Sequence, residues 1–427
     1  MDMKNPGFDT IAVHGGYEPK ENNFSMTPPI YQTNAYDFVT TERAAALFGL
    51  KEDGDIYSRI SNPTVRVFED RMALLEGGSA AVAFSSGHNA IFSLVTNLCE
   101  SGDEIVAARK IYGGAVNMLG QTFGQFGVRT TFIDSDNLLA WEEAITDRTK
   151  LFFFETVSNP GAAVADIAPI CEIAHRHGIL VVVDSTFTTP YLCRPFEFGA
   201  DIVVHSATKY ICGHGNAMGG IVIESGKFDY RNNPRYRAFG EPDASYHGVV
   251  FARDFPNAPF CARLRNKYLR DIGGCMSPNT AYLMLIGLET LSLRVKKHCE
   301  NGETVAKYLQ AHPKVKNVSY PSLPGSKYLR VCKKYLPNGC GAVFTCELGG
   351  DRAKCAEFMD RLKIFANVSN VCDSRSMVNH SASTTHAQLD AKQLAAAGIS
   401  EGTVRFSVGI EDPADLVADL EQALSVL

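Results

Sequence analysis

The sequence predicts an α/β fold in which a mostly parallel seven-stranded sheet is covered by helices on both faces and followed by a smaller α+β domain. Three observations predict it. Between residues 63 and 275, short apolar runs alternate with helical patterns. Those runs are continuous rather than alternating, which marks strands covered on both faces. Polar residues gather just after the runs, where ligands collect in open α/β sheets.

Taken in order, residues 1–62 are rich in Pro, Asn and Tyr with weak periodicity and read as an extended arm. Residues 63–275 hold the expected strands at 80–84, 104–108, 129–133, 151–154, 179–183, 202–204 and 220–223. Within that part, residues 228–254 form a long irregular insertion suited to a lid or an interface loop. Residues 276–427 begin with an amphipathic helix over 280–298 and a second helix over 302–309. A strand at 342–347 and a closing helix at 413–424 follow, the mixture expected of a smaller α+β domain.

A chain of 427 residues that is 45% hydrophobic can bury a large core in two domains. The net charge of −6 comes from 41 basic and 47 acidic residues mixed along the chain, which argues against nucleic acid or a membrane surface as partner. No run of about 18 apolar residues appears, and the first residues lack the pattern of a signal peptide. The 12 cysteines include no Cys-x-x-Cys pair, so neither a metal site nor a disulfide framework is expected. They read as small core residues in a reducing cytoplasm.

The chemistry is concentrated in two neighbouring strand ends. Asp184 closes the run Val181-Val-Val-Asp and is followed by Ser185 and Thr186, while Ser206-Ala-Thr-Lys-Tyr210 follows the strand at 202–204. An acidic group after one strand and a lysine after its neighbour is what a carbonyl cofactor with a basic ring nitrogen requires. That cofactor is pyridoxal phosphate. An ionised Asp184 would keep the ring nitrogen protonated and the ring a strong electron sink. Ser206 and Thr208 flank Lys209, and the glycine-rich run from Cys212 to Gly220 lets backbone lie against a ligand.

Phe84-Ser-Ser-Gly-His88 leads into a helix whose first N–H groups make a phosphate site, with Ser86, Gly87 and His88 at its start. Asn159, at another strand end, suits donation to the ring hydroxyl, and Tyr112 suits stacking on the ring face. Taken singly, each has a commonplace explanation: a helix cap, a solvated lysine, a turn, a core tyrosine. Their coincidence at separate strand ends is the stronger signal. A dinucleotide site would need Gly-x-Gly-x-x-Gly after the first strand, and residues 84–90 lack it.

These stretches, with Tyr57-Ser-Arg-Ile-Ser-Asn-Pro-Thr64 and His380-Ser-Ala-Ser-Thr-Thr-His386, resemble the Cys/Met metabolism PLP-dependent enzyme family across essentially the whole chain. The resemblance implies the type I PLP-dependent transferase fold, with Lys209 holding the cofactor as a Schiff base and Asp184 on its ring nitrogen. It implies phosphate contacts from Gly87, His88, Ser206 and Thr208, and from Tyr57 and Arg59 toward the neighbouring subunit of a homo-oligomer, a dimer of dimers. It places Arg405, Asn370 and the backbone around Ser376 at the substrate carboxylate, and gives Tyr112 a part in proton transfer. Ala12-Val-His-Gly-Gly16 and Glu241-Pro-Asp-Ala-Ser-Tyr-His-Gly248 resemble the O-acetylhomoserine sulfhydrylase branch most.

The activity so implied is γ-replacement, in which O-acetyl-L-homoserine and sulfide, or a thiol, give L-homocysteine or methionine and acetate. The alternative is methionine γ-lyase or cystathionine lyase or synthase activity. Methionine γ-lyases typically carry a cysteine two residues after the stacking tyrosine, where this chain has Gly114. Three positions depart from the family: His88 for Met or Gln, Cys372 for Gly, and Ser381 for Pro.

Overall fold

The structure is a computed structural model that describes residues 5–349, 352–384 and 400–427. Its central sheet contains β1 (Ala80–Phe84), β2 (Glu104–Ala108), β3 (Arg129–Ile133), β4 (Thr149–Glu155), β5 (Leu180–Asp184), β6 (Ile202–His205) and β7 (Gly220–Glu224), in the order β1-β7-β6-β5-β4-β2-β3. Only β7 runs against its neighbours, so β1 points the same way as β2 to β6. Every strand expected from the apolar runs is present. The reason is visible in β4 and β5, where residues 151–154 and 180–183 are wholly buried on both faces.

Local sequence sets the flanking helices. Pro63–Glu76 starts where Asn62 accepts from the Thr64 N–H, with Pro63 at a position that needs no donor, and stops at Gly77 in the left-handed region at φ +78°. The preceding arm is mostly extended, with short helices at Phe8–His14 and Thr41–Phe48. It is tied to the body by the Tyr31 N–H donating to Thr64 Oγ1 at 2.9 Å and by Asn62 Nδ2 donating to the Tyr31 carbonyl.

Around Tyr236 the 228–254 insertion is no lid. The Leu180 N–H donates to the Tyr236 hydroxyl at 2.8 Å, and that hydroxyl donates in turn to the Lys150 carbonyl. Arg235 Nη1 donates to the Thr149 carbonyl at 2.8 Å. These are the amino ends of β4 and β5, opposite the strand ends that carry Asp184 and Lys209. Buried Tyr230, Tyr236, Phe239 and Phe251 make the insertion part of the core.

The helix expected over 280–298 is two helices, Pro278–Glu289 and Leu291–Ala311, and the second takes in the separately expected helix at 302–309. Thr290 interrupts them at φ −115°, ψ 14°. The Arg294 guanidinium reaches back to the Gly287 carbonyl and donates to the Tyr210 carbonyl at 2.8 Å. A Cβ on Gly287 would stand 2.2 Å from the Ile211 carbonyl, so the break and the glycine together let this region clasp the segment after Lys209.

A second sheet, β10-β11-β12-β9-β8, is built from β8 (Val315–Ser319), β9 (Val343–Leu348), β10 (Ala366–Asn367), β11 (Met377–His380) and β12 (Thr403–Ser407). The closing helix Pro413–Leu424 is capped by Asp412, whose side chain accepts from the Ala414 N–H. The reading of the cysteines is corrected at one place: Cys332 and Cys340 form a disulfide, with S–S 2.04 Å. Eight residues of separation bring them together around the turn that follows the helix Leu329–Tyr335, a pairing with no Cys-x-x-Cys signature. The other cysteines, apart from Cys275, are buried. Among the described residues no helix is long and apolar enough to cross a membrane, and no cluster of side chains suits a metal ion.

Candidate active site

The carboxyl ends of β1, β2, β4, β5 and β6 converge on one cavity of about 230 Å³. Beyond β1, Ser86 caps the helix Gly87–Leu98, its Oγ accepting from the Asn89 N–H at 3.1 Å. The first N–H groups of that helix have no carbonyl within it to bond. A Cβ on Gly87 would lie 2.7 Å from Ser206 Cβ, so only glycine lets the helix start touch the segment after β6. There the Ser206 N–H donates to Thr186 Oγ1 at 2.8 Å, and the Thr208 hydroxyl bridges the Gly219 carbonyl and N–H at 3.2 and 3.0 Å.

Lys209 donates to Asn370 Oδ1 at 2.7 Å. Burial pulls its ammonium below the ordinary lysine value, partly opposed by the Cys372 thiol and reinforced by Arg405. At the end of β5, Asp184 Oδ1 accepts from the Thr186 N–H at 2.9 Å. Burial raises this carboxyl above its ordinary value. The Glu155 carboxylate, at the end of β4, accepts from the Tyr112 N–H at 2.7 Å and the Asn159 N–H at 2.9 Å. It too is raised well above the ordinary range, by burial and then by Asp184.

The smaller domain completes the wall. Arg405, buried in β12, donates from Nη1 to Asn159 Oδ1 at 3.2 Å and from Nη2 to the Asn370 carbonyl at 3.3 Å. Burial lowers its guanidinium to about 10. Cys372 lies next to this wall at φ +61°, a conformation that favours glycine, which is the residue the family resemblance leads one to expect there.

Of the residues singled out from sequence, Ser86, Gly87, His88, Tyr112, Asn159, Asp184, Thr186, Ser206, Thr208, Lys209, Asn370 and Arg405 all line this cavity. Tyr57 and Arg59 do not; the Arg59 guanidinium instead lies 5.3 Å from the centre of the exposed Tyr57 ring. Ser376 is corrected. It is fully buried, with its N–H and its hydroxyl both donated to Glu411, and Ser369, Asn370 and Val371 face the cavity in its place. Ser381 is fully buried, and the last two residues of the His380 motif, 385 and 386, lie outside the described residues.

Sequence reasoning missed Glu155. The signal was a carboxylate closing an apolar run, the same pattern that drew attention to Asp184. It also missed Phe187, Met218 and Ile91, apolar liners that resemble core residues until the fold places them.

The raised carboxyls have a stability consequence. Asp184 and Glu155 have folded-state values above their unfolded ones, so their contribution is fully present below the unfolded values and is lost as pH rises through the folded ones. Glu224, pushed up to about 7 by burial, acts with the same sign. The cofactor-free protein is therefore expected to unfold at a lower temperature at about pH 8 than at about pH 5, measured by scanning calorimetry. A cation placed against Asp184 reverses its part, so the gain in midpoint on adding pyridoxal phosphate should be larger at the higher pH.

A mostly parallel sheet whose carboxyl ends hold a half-buried lysine, a carboxylate one strand away and the N-terminus of a helix defines a pyridoxal-phosphate enzyme of fold type I. The sequence profile of the Cys/Met metabolism PLP-dependent enzymes matches residues 9–425, and the chain belongs to that family. It is 43% identical over 425 residues to an O-acetyl-L-homoserine sulfhydrylase of Leptospira meyeri, covering 97% of this chain and 96% of that one. It is 42% identical over 428 residues to a homocysteine synthase of Schizosaccharomyces pombe, covering all of both chains. A crystal structure from Campylobacter jejuni, with pyridoxyl-lysine-5'-monophosphate in its chain, superposes with a TM-score of 0.96 at 41% identity, covering 98% of this chain and 100% of that one.

Proposed function

We propose that the chain catalyses γ-replacement on O-acetyl-L-homoserine: hydrosulfide displaces the acetoxy group at Cγ, giving L-homocysteine and acetate, and methanethiol in its place gives methionine. One C–O bond is exchanged for one C–S bond, with no net oxidation. The observation that carries this reading is a half-buried Lys209 lining one cavity with Asp184, in a chain alike, over its whole length, to proteins named sulfhydrylase and homocysteine synthase.

When bound, pyridoxal phosphate supplies a ring that holds the electrons released at Cα and then Cβ, which is what allows a group to leave from Cγ. Lys209 attaches it and then moves the Cα proton; burial, by weakening the ammonium, favours the free amine both tasks need. Asp184, its carboxylate oriented by the Thr186 N–H, keeps the proton on the ring nitrogen. The Gly87 and His88 N–H groups, with Ser86, Ser206 and Thr208, take the phosphate. Asn159 donates to the ring hydroxyl, and Tyr112 stacks on the ring and assists proton transfer at the leaving group.

Arg405 and Asn370 orient the α-carboxylate. Arg405→Ala is expected to raise KM for the amino acid about 100-fold with a smaller change in kcat, and Arg405→Lys to restore only part of it, because a lysine cannot form the two-pronged contact. Steady-state kinetics checks both. Tyr57 and Arg59, exposed and outside this cavity, serve the neighbouring subunit of a homo-oligomer. The arm at 1–62, the cofactor domain at 63–275 and the substrate domain at 276–427 are the working divisions, in a cytoplasmic protein.

Gly114 favours replacement over γ-elimination. A Cβ there would lie 2.6 Å from Tyr112 Cε1, so the cysteine typical of methionine γ-lyases does not fit this arrangement. Incubation with O-acetylhomoserine and sulfide should give homocysteine, and incubation with methionine alone should give no α-ketobutyrate. The opposite product pattern overturns the proposal.

A further inference from the structure

His88 and Tyr112 come from the carboxyl ends of β1 and β2, strands with four others between them in the sheet, yet their rings meet edge to face at 5.5 Å and 76°. Both rings line the cavity and both are exposed, so the pair stands at its mouth. The space beneath it is already full. A Cβ on Gly114 would lie 2.7 Å from His88 Nε2, 2.9 Å from His88 Cε1 and 2.6 Å from Tyr112 Cε1. The Tyr112 backbone is fixed by Glu155, so the tyrosine has little freedom to retreat from the imidazole. Met218 also lines the cavity, a thioether 69% exposed that can turn aside.

We propose that His88 determines the size of the sulfur acceptor: its imidazole, wedged between Tyr112 and Gly114, leaves room at the mouth for hydrosulfide or a small alkyl thiol and excludes a bulky one. The proposal rests on the γ-replacement reading above and deepens it. A single methyl-sized misfit in a close pocket discriminates by about 10-fold or more. A whole ring that must be displaced acts in the same direction.

Two measurements decide it, the first independent of turnover. Gly114 lies in the short helix Gly113–Asn117, where adding a Cβ ordinarily stabilises. In the cofactor-free protein G114A should instead lower the unfolding midpoint, and the double variant H88A/G114A should recover part of the loss. A G114A midpoint above the parent's, or no recovery in the double variant, overturns the wedge.

The second measurement uses the holoenzyme with O-acetylhomoserine, comparing kcat/KM for phenylmethanethiol with that for hydrosulfide. The ratio should rise about 10-fold in H88A. H88Q, which keeps length and polarity but loses the ring, should move it the same way and serves if H88A does not fold. An unchanged or lower ratio overturns the proposal. Absence of homocysteine from the unaltered protein with sulfide would overturn the reaction itself, and that result is distinguishable because the midpoints still report whether the wedge exists.

Discussion

Lys209→Ala is expected to cut turnover by about four orders of magnitude, through loss of both the attachment point and the base. The effect is large because the structure offers no substitute. The lysine side chain donates to Asn370 Oδ1 at 2.7 Å, and among the described residues no other lysine lines the cavity. Folding should be spared, since removing a half-buried ammonium relieves its desolvation. The variant should therefore show a parent-like unfolding midpoint without cofactor and lack the visible absorbance of the lysine-bound form. Activity within about 10-fold of the parent would contradict the assignment.

Asp184→Asn is expected to lower kcat by about two to three orders of magnitude, the scale of removing one preorganised charge from a buried reaction centre. A neutral amide cannot hold a proton on the ring nitrogen, so the ring becomes a weaker sink. Stability without cofactor should move in the opposite direction. Burial already raises the Asp184 carboxyl, and Glu155 is raised partly by it, so removing one acidic group relieves the pair. Higher stability without cofactor together with slower turnover would separate an electrostatic role from a structural one. Loss of stability in this variant would mean that Asp184 serves chiefly as the cap of the turn at Thr186.

The fold was legible where burial dictates residue type. Continuous runs such as Leu151-Phe-Phe-Phe154 have one stable use in a chain of this size, a strand covered on both faces, and the seven of them fell on the seven strands of the central sheet. The break at Thr290 was hidden because its cause is tertiary: Arg294 and Gly287 answer to the backbone at Tyr210 and Ile211, a region distant in sequence. For the same reason the 228–254 insertion read as a lid or an interface loop, although Tyr236 bonds to β5.

In the site, residues at strand ends could be found from the strands. Arg405 and Asn370 could not be placed by periodicity and came through the resemblance, which erred at Ser376, whose polar groups are taken by Glu411. Glu155 shows how far the strand-end rule extends. It works through two backbone N–H groups, those of Tyr112 and Asn159, and so leaves no motif of its own.

The amine of Lys209, in the cavity it shares with Asp184, is the proposed point of cofactor attachment. Reduction of the cofactor-loaded protein with borohydride, followed by proteolysis and peptide mass spectrometry, tests it most directly. One phosphopyridoxyl group is expected, carried on Lys209, and none on Lys209→Ala. A label on any other lysine, or a parent protein that takes up none, would contradict it.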